Sequence, residues 1–224
     1  MKKLCTLIGA VLLTMGVNAQ TTLKVESFRM GIGEQKTITL DMDNSDLTDA
    51  AAFCCDIYLP EGVEIATNEE GTYQFSVSDK DGRTASPESL VIASAKQSDG
   101  AVRVVCFPQD ASAFVGESGA ILNVPLVASK ELTKGTVEVS VASQEITNTT
   151  GLSTVKPDAS IADLIAFLRG DVNDDNEINV GDLVSVSNFM AGDESVSKVD
   201  SDANEDEEVN VGDMVTITNI MASN

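Results

Sequence analysis

A twelve-residue acidic pattern occurs twice near the C-terminal end of the chain, and each copy is followed directly by an apolar segment. The copies read DVNDDNEINVGD from residue 171 and DANEDEEVNVGD from residue 202. The repetition predicts two sites of one kind. Both copies carry oxygen-bearing side chains at places 1, 3, 5, 7, 9 and 12, namely Asp171, Asn173, Asp175, Glu177, Asn179 and Asp182 in the first and Asp202, Asn204, Asp206, Glu208, Asn210 and Asp213 in the second.

This spacing is typical of a loop that wraps around a hard cation. Calcium takes six to eight oxygen ligands, and a twelve-residue loop supplies them from side chains and from the backbone carbonyl of place 7. The pattern therefore predicts two calcium ions, one in each loop, with Glu177 and Glu208 contributing main-chain oxygen. Place 6 is Asn176 or Glu207 where an ordinary EF-hand has glycine, and place 12 is Asp instead of Glu. Glu tolerates the left-handed turn of place 6 poorly, which predicts strain in the second loop.

Helix capping is the alternative interpretation of part of the pattern. Asn179 with Asp182, and Asn210 with Asp213, have the spacing of a capping box. Capping gives no reason for the oxygen-bearing side chains at places 1, 3 and 5. Without a cation, two carboxylates about 4 Å apart repel by roughly 1 kcal/mol in water and by more at a lower dielectric. Calcium is therefore favoured over a solvated acidic hairpin.

The segment after each loop predicts a helix of about three turns. The two segments, VGDLVSVSNFMA and VGDMVTITNIMA, each place apolar residues along one side, namely Leu183, Val184, Val186, Phe189 and Met190 in the first and Met214, Val215, Ile217, Ile220 and Met221 in the second. These sides would meet in an antiparallel helix pair. A unit of about 55 residues has a thin core, so metal binding would supply much of its stability.

Residues 21–158 consist of short extended runs separated by Gly, Pro and Asp turns, which predicts an antiparallel β-sandwich. The runs are TLKVESF, KTITLDM, AFCCDIYL, YQFSVS, SLVIASA, AVRVVCF, AILNVPLVA and GTVEVSVAS. Alternation in two of them predicts one buried face for each sheet. The predicted buried residues are Ile38, Leu40 and Met42 in one run and Val137, Val139 and Val141 in the other. Residues 160–168 fit either a helix or a final strand.

Residues 1–19 have the features of a secretory signal peptide. Lys2 and Lys3 precede an apolar run, and small residues lead to Ala19. No later segment is apolar for long enough to span a bilayer. We therefore expect an exported protein, secreted or at the cell surface, with no transmembrane segment in the mature chain. Retention of residues 1–19 as a membrane anchor is the alternative.

The formal net charge of −22 and the absence of histidine limit the classes of function. Binding of nucleic acid needs a basic surface, so a nucleic-acid partner is excluded. Histidine is the commonest general base, and no sequence feature indicates the facing carboxylate pair of a glycosidase. We expect no catalytic residues and no enzymatic activity.

Three cysteines follow the predicted signal peptide: Cys54, Cys55 and Cys106. Side chains alternate along a strand, so Cys55 would share a buried face with Phe53 and Ile57. A disulfide between Cys55 and Cys106 is one possibility. Buried free thiols are the other.

The acidic repeats, GDVNDDNEINVGDLVSVSNFM and SDANEDEEVNVGDMVTITNIM, resemble the type I dockerin family. The resemblance implies a dockerin domain over residues 169–224 that docks onto a cohesin, a β-sandwich partner used in polysaccharide degradation. Clostridial dockerins have hydroxyl residues at places 10 and 11, where this chain has Val-Gly. By position, the implied partner contacts are Val180, Gly181, Ser187 and Asn188, with Val211, Gly212, Thr218 and Asn219 in the second copy. The alternative interpretation of these positions is a helix start and ordinary exposed surface.

The β-rich segments AAFCCDIYLPEGVEI and AVRVVCFPQDASAFVGESGAILNVPLVA are similar to the cohesin and carbohydrate-binding-module sandwiches, especially cohesin-like domains of gut Bacteroidetes. Together the resemblances imply a mainly β protein, with a sandwich over residues 20–168 followed by a small helical dockerin with two EF-hand-like loops. The implied function is non-catalytic, calcium-dependent cohesin–dockerin assembly outside the cell. The alternative is a carbohydrate-binding module tethered through a dockerin, with a glycan as ligand. The chain has no Trp and only two Tyr, which argues against binding to crystalline cellulose.

Overall fold

The computed structural model describes residues 21–223, and the predicted signal peptide lies outside them. Within the described residues there are twelve strands followed by three α-helices. The strands are β1 (Thr22–Lys24), β2 (Phe28–Gly31), β3 (Gln35–Asp43), β4 (Ala50–Tyr58), β5 (Val63–Ile65), β6 (Ser76–Val77), β7 (Leu90–Lys96), β8 (Val102–Pro108), β9 (Ser118–Ala128), β10 (Gly135–Asn148), β11 (Thr154–Val155) and β12 (Ser160–Phe167). The helices are α1 (Val180–Met190), α2 (Lys198–Ser201) and α3 (Val211–Ser223).

The strands form two sheets with a shared apolar core, which confirms the predicted sandwich. One sheet has the order β1-β3-β9-β5, and β6 also pairs with β9. The other has the order β2-β12-β10-β4-β8-β7, and β11 pairs with β10. Alternation works as predicted in β3, where Ile38, Leu40 and Met42 are buried. Leu40 lies opposite Leu122 of β9, so neighbouring strands present apolar residues to the same core.

One strand pair departs from the predicted antiparallel arrangement. The predicted run TLKVESF contains β1, which pairs with β3, but only the first residue of β2, which pairs in parallel with β12 in the other sheet. Val25 is buried between β1 and β2, where the chain crosses from one sheet to the other. Residues 160–167 form a strand because they pair with β10 on one side and β2 on the other. Local periodicity carries no information about either partner.

Short strands account for the other differences from the sequence prediction. Only Ser76–Val77 of the predicted run YQFSVS is a strand, and β5 and β11 were not predicted. Strand β10 continues beyond the predicted run because a bulge at Ser143, with φ of 50°, adjusts its register against β4. Side-chain alternation cannot reveal a strand of two or three residues, because so short a segment has no measurable period.

The bulge in β10 places the amide of Gln144 between the two sheets. Gln144 is 2% exposed, and its Oε1 accepts a hydrogen bond from the Leu23 N–H at 2.7 Å. Its Nε2 donates to the carbonyls of Leu23 and Val141, both at 2.9 Å. Leu23 belongs to β1 in the other sheet. One side chain therefore satisfies buried backbone groups of both sheets, which would otherwise be costly to bury.

The cysteines of the sandwich are free thiols in the structure. Cys55 lies opposite Val104, and Cys106 lies opposite Phe53, in the pairing of β4 with β8. Both thiols are part of the core. Burial raises the pKa of both, that of Cys106 to about 12. Of the two alternatives left open by the sequence, the structure contains buried thiols and no Cys55–Cys106 bridge.

The three helices and the two acidic loops form a separate small core. Its buried members are Val172, Val186, Ala203 and Ile217, and the partly buried residues packed around them include Ile178. Helices α1 and α3 contact each other, as the repeat predicts.

The prediction that Val184 and Val215 pack inside the helix pair is wrong, because they are 53% and 54% exposed. Each lies on the outer side of its helix, away from Val186 and Ile217, which fill the small core. Met190 is 47% exposed as well, so the apolar residues of each segment do not form one buried stripe.

Replacing Gln144 by alanine should lower the free energy of unfolding by about 2–4 kcal/mol, because buried backbone groups of Leu23 and Val141 lose their partner. Urea denaturation of the variant measures the loss. Glu145→Ala is the matched control, since Glu145 forms an exposed ion pair with Lys156. The control should cost less than about 1 kcal/mol. Equal effects of the two substitutions would contradict the role assigned to Gln144.

Alkylation should modify Cys55 and Cys106 only after the protein is unfolded, because the native thiols are buried and carry raised pKa values. The experiment uses iodoacetamide without reductant, before and after addition of urea, and peptide mass spectrometry. Cys54 is partly exposed and should react first. Peptides containing Cys55 and Cys106 that remain linked in urea would instead reveal a disulfide.

Candidate metal centre and its junction with the sandwich

Each acidic loop begins with an aspartate whose carboxylate closes a backbone turn. Asp171 is buried, and its Oδ1 and Oδ2 accept hydrogen bonds from the N–H groups of Asp175 at 3.0 Å and Asn176 at 3.1 Å. In the second loop, Asp202 accepts in the same way from Asp206 at 3.1 Å and from residue 207 at 2.9 Å. The two copies therefore share one local geometry, as the repetition predicts.

Places 4 and 6 of both loops have left-handed backbone. Asn176 and Glu207, at place 6, have φ of 68° and 71°, and Asp174 and Glu205, at place 4, have φ of 64° and 58°. The left-handed conformation at place 6 was predicted, and it is less favourable for Glu207 than for Asn176. The left-handed residue at place 4 was not predicted, although Asp at this place in the first loop is one of the residue types that tolerate it.

Places 3 and 5 bond to each other. Asn173 Oδ1 accepts from the Asp175 N–H at 3.1 Å, and Asn173 Nδ2 donates to Asp175 Oδ2 at 2.8 Å. Asn204 and Asp206 repeat these bonds at 3.0 and 2.9 Å. Asp175 Oδ1 also accepts from the Glu177 N–H at 2.9 Å. The exposed side chain of Glu177 is compatible with the main-chain role predicted for place 7.

Place 12 ties the start of the loop to the start of the helix. Asp182 is fully buried, and its Oδ1 accepts from the N–H groups of Val172 at 2.7 Å and Asn173 at 3.2 Å. Its Oδ2 accepts from the Asn179 N–H at 2.8 Å and completes the capping box of α1. Asp213 is equally buried and accepts from the corresponding residues 204 and 210 of the second loop.

A glycine at place 11 lets places 3 and 9 approach each other. A Cβ on Gly181 would lie 3.0 Å from Asn179 Oδ1 and 3.1 Å from Asn173 Nδ2. Gly212 has the same surroundings at the same distances. The Val-Gly dipeptide thus has a packing reason, independent of its predicted role in partner binding.

The donor chemistry of the loops suits a hard cation, since carboxylate, amide and carbonyl oxygens are the ligands that calcium prefers. Internal hydrogen bonds nevertheless give places 1, 3, 5, 9 and 12 a structural role, which extends the capping alternative beyond places 9 and 12. Within residues 21–223, no group of three or more Asp, Glu, Cys or His side chains stands in a metal-holding arrangement. Amides alternate with carboxylates in each loop, and place 12 points to backbone N–H groups. Calcium binding stays a prediction.

A lysine from the sandwich occupies the first loop. Lys134 lies in the connection between β9 and β10, and its Nζ is 2.6 Å from Asp171 Oδ2 and also pairs with Asp174. Burial lowers the pKa of Lys134, but its bonds to the two aspartates outweigh this effect, so the pKa is raised overall. Sequence reasoning missed this contact. Lys134 and Asp171 are 37 positions apart, and no local pattern links them.

Two arginines complete the junction between the sandwich and the helical unit. Arg29 of β2 pairs with Asp200 of α2. Arg169 binds Glu34 through Nε at 2.5 Å and Nη2 at 2.8 Å, and its Nη1 donates to the Ala203 carbonyl at 2.8 Å. The bond to Glu34 raises the pKa of Arg169. These bonds join the sandwich and the helical unit through specific side-chain contacts.

The predicted partner positions are accessible to different degrees. Val180 and Val211 are 63% and 62% exposed. Gly181 and Gly212 are partly buried, whereas Ser187, Asn188, Thr218 and Asn219 are exposed. The hydroxyls of Ser187 and Thr218 donate to backbone carbonyls one turn earlier, at 2.8 and 2.7 Å. Contact between these residues and a partner protein stays a prediction.

Comparison with known proteins identifies the fold of the sandwich. No family model and no curated protein matches the chain. Solved structures do match, among them a complex of CaDoc0917 with CaCohA2, the latter from Clostridium acetobutylicum, with 12% identity, a TM-score of 0.52 and coverage of 66% of this chain and 100% of the matched chain. The sandwich has the cohesin fold.

Two further structures agree with this assignment. The sixth cohesin of scaffoldin B from Acetivibrio cellulolyticus, in complex with a Cel5 dockerin, gives a TM-score of 0.51 at 13% identity, covering 66% of this chain and 99% of its own. The type I cohesin–dockerin complex Coh-OlpA–Doc918 from Clostridium thermocellum gives 0.52 at 10% identity, with coverage of 66% and 99%. None of the helices in residues 21–223 has the length and apolar composition that crossing a membrane requires.

Replacing Asp182 by alanine should destabilise the first loop even in calcium-free buffer, by about 2–4 kcal/mol, because three backbone donors lose a buried acceptor. Amide hydrogen exchange at Val172, Asn173 and Asn179 measures the local loss of protection. Glu194→Ala, at an exposed position between α1 and α2, is the control. Unchanged exchange at the three donors would show that the Asp182 carboxylate is not needed to hold the loop.

Proposed function

We propose that this protein is a non-catalytic extracellular interaction protein, in which a cohesin-fold sandwich is joined to a calcium-dependent loop–helix pair of the dockerin type. The observation that carries the proposal is the cohesin fold of the sandwich. The duplicated oxygen-rich loops support its second half, because the same residues make the same bonds in both copies.

The sandwich and the helical unit would bind different partners. Solved structures with the same fold as the sandwich are cohesin–dockerin complexes, so the partner best supported for the sandwich is a dockerin-type loop–helix unit. The partner proposed for the C-terminal unit is a cohesin-like domain, through the exposed residues of α1 and α3. A chain with both kinds of surface would act as an adaptor in assemblies that degrade polysaccharides.

Bound calcium would supply the positive charge that lets several carboxylates lie close together. Places 1, 3, 5, 9 and 12 of each loop, with the carbonyl of place 7, would hold it. The same residues order the backbone at the start of α1 and α3, on which the exposed Val180 and Val211 lie. Filling the loops would therefore stabilise the surface proposed for docking.

The absence of catalysis and the extracellular location are parts of this proposal. The apolar leader of residues 1–19 supports export. Glycan binding is the alternative function predicted from the sequence. Among the described residues, no feature supports glycan binding as strongly as the cohesin fold supports protein binding. Glycan binding is one of the outcomes that the capture experiment below distinguishes.

Calcium titration of the intact chain tests the proposal. Calorimetry should detect two ions bound per chain, and circular dichroism should show a gain of helix. The variant Asp175→Asn/Asp206→Asn removes one charge from place 5 of each loop but keeps an oxygen that can accept the backbone N–H. It should weaken calcium binding at least about tenfold, a change of about 1.4 kcal/mol. Glu69→Gln/Glu70→Gln removes the same charge from exposed sites of the sandwich and should leave binding unchanged.

Partner capture by the immobilised chain, with and without chelator, tests the docking role. A dockerin-type protein should be retained by the sandwich, and a cohesin-type protein by the C-terminal unit only when calcium is present. Binding on a glycan array together with an empty capture experiment would favour the carbohydrate-binding alternative. No heat and no spectral change on adding calcium would refute the metal-dependent part.

A further inference from the structure

The two acidic loops have the same internal geometry but different surroundings. In the first loop, the carboxylate of Asp171 is completely buried and is in contact with the ammonium group of Lys134. In the second loop, Asp202 forms no ion pair with any residue between 21 and 223. Arg169 does reach the second loop, but it bonds to Glu205 at place 4. Of the two loops, only the first therefore has its place 1 carboxylate paired with a positively charged side chain within the described residues.

We propose that Lys134 is a tethered cation that competes with calcium for the first loop and thereby makes this loop respond to the sandwich. The inference rests on the calcium binding proposed above. Asp171 at place 1 is one of the residues that would hold the ion, and Lys134 Nζ lies 2.6 Å from its Oδ2. An ammonium group and a divalent cation that share one carboxylate repel each other, so each weakens the binding of the other.

The structure leaves the Lys134 ammonium group room to move off Asp171. Lys134 lies on the wall of a cleft of about 440 Å³ between the sandwich and the helical unit, which Asp171 and Asp174 of the first loop also line. A lysine side chain is flexible and carries a compact charge, so it can leave one aspartate without rearrangement of the backbone. The pairs of Arg29 with Asp200 and of Arg169 with Glu34 do not involve Lys134. They would keep the units in contact after Lys134 leaves.

The left-handed backbone at Glu207 is expected to lower the calcium affinity of the second loop. A comparison of calcium affinity between the two loops would therefore mix this effect with that of Lys134. The comparison that does is the first loop with and without the lysine charge. Methionine has the length of the lysine stem and no charge, which makes Lys134→Met the main variant. Lys130→Met is the matched control, because Lys130 lies in the same connection and has no ion pair within the described residues.

Two backbone amides report separately on the loops. The Asn176 N–H donates to Asp171, and the Glu207 N–H donates to Asp202. Their NMR shifts should be followed while calcium is added to the intact chain. In Lys134→Met, the calcium affinity read at Asn176 should rise about tenfold, equivalent to about 1.4 kcal/mol. The affinity read at Glu207 should change less than about twofold, and Lys130→Met should change neither.

A reciprocal measurement on the parent protein does not depend on the folding of a variant. Calcium should increase the rate at which Lys134 is acetylated by acetic anhydride, relative to Lys130, because an amine displaced from Asp171 no longer lies in the ion pair that protects it.

The possible outcomes separate the two proposals. An unchanged or weaker affinity at Asn176 in Lys134→Met, or unchanged acetylation of Lys134, would overturn the competition. If neither amide responds to calcium in any variant, the proposed calcium function itself fails.

Discussion

Carboxylates that accept hydrogen bonds from their own loop hold the C-terminal unit in shape. Asp171 and Asp182 in the first loop receive five such bonds, two at the first residue and three at the last. A buried backbone N–H without a partner is costly to the stability of the fold. These acceptors therefore hold the loop in shape even without a bound cation. The network ends at Asp182, in the first turn of α1, where the exposed residue Val180 also lies.

The junction with the sandwich depends on a few positive charges in a strongly acidic chain. The chain has 14 basic and 36 acidic residues, yet Arg29, Lys134 and Arg169 all lie where the sandwich contacts the helical unit. Arg29 and Arg169 also lie over the ring of Phe167, at 4.3 and 5.4 Å from its centre. The apolar ring and the opposite charges together give the junction a defined arrangement. The helical unit is thus positioned by the sandwich as well as by its own small core.

Sequence reasoning succeeded where one period or one repeat covers many residues. The alternation of β3 identified its buried face, and the repeat predicted α1 and α3 to within a residue of their starts. It failed where the decisive partner lies far along the chain. The parallel pairing of β2 with β12 and the inward turn of Gln144 depend on tertiary contacts. The prediction that Val184 is buried failed for a related reason, because apolar spacing does not identify which side of a helix is covered.

The amino-acid sequence by itself determined the two acidic loops, their capped helices and the β-rich character of the larger part, because these follow from local spacing and local hydrogen bonds. Tertiary structure alone decided the division of strands between two sheets and the state of the cysteines. It also paired only the first loop with a lysine, since the two acidic patterns carry the same residue types at places 1, 3, 5, 7, 9 and 12 and only folding brings Lys134 to one of them. A contact across 37 positions depends on the paths of β9 and β10, which no twelve-residue pattern encodes.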